Sequence, residues 1–80
     1  MIKWKRIWEK QTGKKYQYIS VGEYKGHKVK VFGGHMVYPK RITSWADYYI
    51  VGVAQPYNSE LLLRMAIDDM EVKDENTGSL

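Results

Sequence analysis

Eighty residues without a cysteine make one small domain, able to bury about 60–65% of the surface its unfolded chain exposes. Disulfides and thiolate zinc sites are excluded, and with His27 and His35 as the two histidines a metal would need carboxylates to complete its shell, so no metal or cofactor is expected. The net charge of +4 divides unevenly: residues 1–41 hold eleven of the thirteen Lys and Arg against Glu9 and Glu23 (+9), and residues 42–80 hold two against seven acids (−5).

IKWKRIWEK, residues 2–10, fits two periods. Ile2, Trp4 and Trp8 suit a strand, and Trp4, Ile7 and Trp8 suit a short helix. The strand is the expectation, because Thr12-Gly13 offers a turn and the segment is too short for a persuasive helix. In KKYQYISVGEYKGHKVKVF, residues 14–32, Tyr and β-branched residues alternate with polar ones on both sides of Lys25-Gly26. A glycine in the second place of a two-residue turn predicts a type I′ hairpin. That turn sets Tyr24 opposite His27, Glu23 opposite Lys28, Val21 opposite Lys30 and Ile19 opposite Phe32. Tyr16, Tyr18, Tyr24, Val29 and Val31 then share a core-like face, and Ile19, Val21, Glu23, Lys28, Lys30 and Phe32 share a mixed one.

Gly33-Gly34 matches neither GxxxxGK[ST] nor GxGxxG opening a helix, so the pair reads as a break that permits a bulge or a change of direction. A short extended piece, His35 to Tyr38, ends at Pro39. Asp47 to Ala54 has the strongest strand composition in the chain, and its near-continuous apolar run predicts a central strand buried on both faces. QPYN breaks it. Asn58 or Ser59 then caps a helix of about three turns, with Glu60 in its first turn and an apolar arc wide enough to pack on a sheet or a partner. The expected architecture is a small single α+β domain over residues 1–72. It has an antiparallel sheet of four to five strands, beginning with an N-terminal meander, and one C-terminal α-helix packed on a face. Residues 73–80 read as a flexible acidic tail.

Ser44, His35 and Asp47 lie close in sequence, but no nucleophile elbow surrounds the serine and small domains seldom supply walls that exclude water, so the expectation is a non-enzymatic protein. Lys28, Lys30, Tyr38, Lys40, Arg41 and Trp45 interleave cations with rings, the chemistry by which single-stranded nucleic acid is held. The basic half therefore predicts an anionic partner, either nucleic acid or a nucleoprotein complex. A second reading takes Trp4, Trp8 and Trp45 as anchors of a protein interface. The compact, cysteine-free, aromatic-rich build resembles small phage or mobile-element accessory proteins. That resemblance implies direct docking on a host protein target, to inhibit or adapt it, and assigns no residues. A third reading holds a small nucleotide-like anion between Lys40, Arg41 and Trp45. The acidic half lying against the basic half of a neighbouring subunit would make a homo-oligomer. No apolar run approaches the ~20 residues that cross a bilayer, and the charged N-terminus has no apolar signal core, so a soluble cytoplasmic protein with no membrane partner is expected.

Overall fold

The structure, a computed structural model, describes the backbone of residues 2–78 and the side chains of residues 2–71. Four strands, β1 (Lys5–Thr12), β2 (Lys15–Tyr24), β3 (His27–Tyr38) and β4 (Arg41–Ile50), form one antiparallel meander in that order, and α1 (Glu60–Gly78) follows. The turn residues explain the connections. Lys25 (φ 50°) and Gly26 (φ 82°) both take the left-handed backbone that a type I′ turn requires, and Pro39-Lys40 joins β3 to β4 just as tightly. The β2–β3 register is the expected one at all four pairs, from Tyr24 with His27 to Ile19 with Phe32.

Residues 5–12 form the expected strand, with one departure. The register shifts between Arg6 and Trp8, so Ile7 is an extra residue and every side chain after it changes face. Trp4 and Trp8, which strict alternation would place together, end on opposite sides of the sheet.

Two other expectations are corrected. β3 does not break at Gly33-Gly34: it pairs through both glycines, with Tyr18 opposite Gly33 and Trp45 opposite Gly34. A Cβ on Gly33 would lie 2.6 Å from the Tyr18 hydroxyl, and one on Gly34 2.8 Å from the Trp45 indole. The glycines are the places where a ring from the neighbouring strand crosses β3, one ring on each face. The apolar strand expected over 47–54 is also not central. β4 begins at Arg41, directly after the proline turn, and is an edge strand that ends at Ile50 in a turn containing Gly52 (φ 93°). Its apolar run is divided: Tyr48 and Ile50 point to the core, Tyr49 points the other way, and Val51 (57%) and Val53 (40%) are exposed.

The helix starts where expected, with the Leu62 N–H donating to Ser59 Oγ (3.2 Å). It runs for 19 residues rather than about three turns. The tail expected over 73–80 includes residues 79 and 80, which lie outside the described residues, and the side chains of 73–78 are outside them too. Leu63 and Ile67, both with no exposed surface, project from α1 onto Val29, Ile50 and Ile2. Trp4, Tyr24, Tyr48 and Tyr57 ring this core, and the Trp4 indole N–H donates to Glu60 Oε1 (2.6 Å), fastening the N-terminal segment to the start of the helix. The core thus occupies one end of one sheet face in a molecule measuring 58 × 24 × 22 Å. Among the described residues no helix is long and apolar enough to cross a membrane.

Candidate nucleic-acid interface

Alternation decides what stands on the face turned away from α1. The paired rows read Lys5, Val21, Lys30 and Tyr49; then Trp8, Ile19, Phe32 and Asp47; then Lys10, Gln17, Gly34 and Trp45; then Thr12, Lys15, Met36 and Thr43; and finally Tyr38 and Arg41. Rings and aliphatic side chains occupy the middle and cations surround them. The Lys30 ammonium lies 5.5 Å from the Tyr49 ring centre, and the Arg41 guanidinium lies 5.0 Å from that of Tyr38. Six cations on this face (Lys5, Lys10, Lys15, Lys28, Lys30, Arg41) face two carboxylates, Glu23 and Asp47.

Among the described residues of the acidic half, Asp47 alone is placed on this face by the strand register. Ion pairs lie elsewhere: Arg6 with Glu9 (3.9 Å), Lys25 with Asp68 (2.6 Å), His27 with Glu71 (4.0 Å) and Arg64 with Glu60 (3.7 Å). The Lys25 ammonium, with a further hydrogen bond from the Tyr24 hydroxyl, holds the Asp68 carboxyl below its usual range, and Asp68 in turn raises Lys25. On the part of the helix-side face that α1 leaves bare, Arg6 lies over Tyr18 (4.3 Å) and donates to the Tyr16 hydroxyl (2.8 Å). Donation from that hydroxyl to Glu9 (2.5 Å) pushes the Tyr16 phenol upward, and burial does the same to Tyr48.

The site residues read from the sequence are distributed as follows. Lys28 and Lys30 stand toward one end of the open face, with Tyr38 and Arg41 at the other, about 26 Å from Lys30 along β3 at ~3.3 Å per residue. Lys40 is in the β3–β4 turn. Trp45 lies between these ends across Gly34, and Trp8, 41% exposed, stands on the same face from the opposite edge strand. Trp4 is set apart, packed on Tyr48 with its ring centre 5.9 Å away. Lys40, Arg41 and Trp45 are not beside the cavity of about 560 Å³, which opens at the other end, among Lys3, Lys5, Val21, Glu23, Lys28 and Val51. His35 and Ser44 are cross-strand neighbours on the helix-side face, whereas Asp47 is on the open one, so the three do not converge. No cluster of three metal-binding side chains occurs among the described residues.

Sequence reasoning missed Trp8 as a member of the basic face, together with Lys5, Lys10 and Lys15. In β1 the phase change at Ile7, which nothing in the local composition announces, puts Lys5 on the same face as Trp8 and Lys10, whereas Lys15 follows from the β2–β3 register, opposite Met36. Compared with protein-family models, characterised proteins and solved structures, the chain matches none of them.

Proposed function

We propose that this protein is a non-enzymatic binding module whose open sheet face engages single-stranded nucleic acid, free or within a nucleoprotein complex. One observation carries the reading. Trp8, Phe32, Trp45 and Tyr49 stand in three adjacent rows of an uncovered face, bordered by cations that have no carboxylate partner among the described residues. Rings at that spacing suit stacking by successive bases, which is tolerant of sequence and contributes about 1–3 kcal/mol per base. The cations supply the phosphate contacts that fix the strand's path.

The test is anisotropy of labelled single-stranded oligonucleotides across a salt series. The slope of log affinity against log salt should be about −0.7 per phosphate neutralised, and Trp8→Ala and Trp45→Ala should each weaken binding by about 5- to 150-fold with the fold intact. Absence of binding at low salt, or binding unaffected by both substitutions, overturns the proposal. A host protein target is the remaining alternative, and would be captured from lysate equally with and without nuclease.

A further inference from the structure

We propose that the chain self-associates through the outer edge of β4, two copies pairing antiparallel about a two-fold axis at Ser44 to form one continuous eight-stranded sheet from two four-stranded ones. The hydrogen-bond alternation of the ladder locates the edge. The Val51 N–H donates to the Lys28 carbonyl (2.9 Å), so odd-numbered residues in register with it bond to β3, and the N–H and C=O groups of Ile42, Ser44 and Ala46 aim away from the sheet. Tyr48, next in that series, exchanges both bonds with Tyr57 (2.9 and 2.7 Å). The edge is therefore closed at Tyr48 and open from there to the Pro39-Lys40 turn, with no backbone partner among the described residues.

The two sheet edges are built differently. β1 carries the bulge at Ile7 with Lys5, Arg6 and Lys10 around it, devices that discourage pairing with another chain. The open part of β4, Ile42-Thr43-Ser44-Trp45-Ala46, has no charge, no proline and no register shift, and Ile42 is 71% exposed. Such an edge is a template for a further strand.

The second copy is the occupant whose register and charges fit. With the axis at Ser44, Ser44 pairs with itself, Ile42 with Ala46 and Thr43 with Trp45 of the second copy. Six outward N–H and C=O groups per chain then find partners. The same register sets Arg41 opposite Asp47 of the second copy, twice by symmetry. Both project from the open face, and neither has an ion-pair partner within its own chain among the described residues. Pairing in this register ends at Arg41, because only the turn residue Lys40 falls opposite Tyr48, whose edge Tyr57 already fills. An axis at Ala46 would drive the strand residue Ser44 there instead, and an axis at Ile42 would put Arg41 opposite Thr43 and lose the charge match. A two-fold axis perpendicular to the sheet keeps the two open faces on one side, so the dimer carries a single basic aromatic surface of twice the width. The association itself does not depend on the nucleic-acid reading.

Sedimentation equilibrium from low micromolar to about 1 mM tests it on the protein alone. A monomer–dimer equilibrium is expected. Ser44→Pro removes an N–H that β3 does not use, so it should leave the circular dichroism of the monomer in place and abolish the dimer. Arg41→Asp and Asp47→Arg should each raise the dimer dissociation constant about tenfold or more, and the double variant should restore it. The charge-reversal set decides the question even if Ser44→Pro fails to fold. A monomer at every concentration overturns the proposal, as does a dimer indifferent to charge reversal.

Discussion

Gly34→Ala tests the reasoning about the centre of the sheet most directly. The added Cβ would run into the backbone carbonyl oxygen of Tyr16 and would lie 2.8 and 3.1 Å from two ring atoms of Trp45. The carbonyl is held by strand pairing and cannot swing aside, so the cost belongs at the upper end of the ~1–3 kcal/mol typical of overpacking. Restricting the unfolded chain recovers about 0.4–1 kcal/mol, for a net loss of about 2–3 kcal/mol. A domain of this length has a total stability of about 4–12 kcal/mol, and each kcal/mol moves its Tm by about 4–8 °C, so a fall of roughly 10–20 °C is expected. Gly33→Ala is the control. Its Cβ meets the hydroxyl end of Tyr18 at 2.6 Å, a side chain that can rotate away, and the Trp45 carbonyl at 3.0 Å, a looser backbone contact than Gly34 would make, so its cost belongs at the lower end of the overpacking range, about 1 kcal/mol. Thermal and urea unfolding followed by circular dichroism measures both. Equal stability of the two variants would refute the assignment of Gly34 as the crossing point of Trp45, and so would a Gly34→Ala protein as stable as the parent.

Trp4→Phe keeps a ring against Tyr48 but removes the hydrogen bond to Glu60, and should cost about 1–3 kcal/mol in urea unfolding. Ser59→Ala should cost about 1 kcal/mol by removing the cap on the Leu62 N–H, with fraying of the first turn of α1 visible in amide exchange. The Lys25–Asp68 pair predicts two pH limbs. The Asp68 carboxyl is lowered in the folded state, so its contribution is present above the unfolded value of about 4 and disappears as pH falls through the folded one. The Lys25 ammonium is raised, so its contribution is complete below about 10.4 and disappears as pH rises through the folded value. Lys25→Asn, which suits the left-handed turn position, should flatten both limbs in unfolding free energies measured against pH.

The parts of this fold that were legible in the sequence are those whose causes are local. Lys25-Gly26 contains its own turn chemistry, and the alternation beside it carries the register, so the central hairpin could be read pair by pair. Ser59 and Glu60 announce the helix start in the same way. Where the deciding partner is distant, the reading failed. Gly33-Gly34 suits a chain break and a close ring crossing equally well, and only Tyr18 and Trp45 on the neighbouring strands choose between them. Tyr-Tyr-Ile-Val has the same composition in a central strand and in an edge strand whose core-facing side alone is covered.

The charge division follows from the same topology. The basic half of the chain forms the first three strands, and the acidic helix comes after the last one. Leu63 and Ile67 can be buried only on the face that carries Val29 and Ile50, and this choice brings Asp68 and Glu71 to the Lys25–His27 rim on the far side from Lys28 and Lys30. Burial of two aliphatic side chains therefore selects which sheet face is left open. Because alternation along β3 sends its lysines opposite to its valines, the face left open is the cationic one.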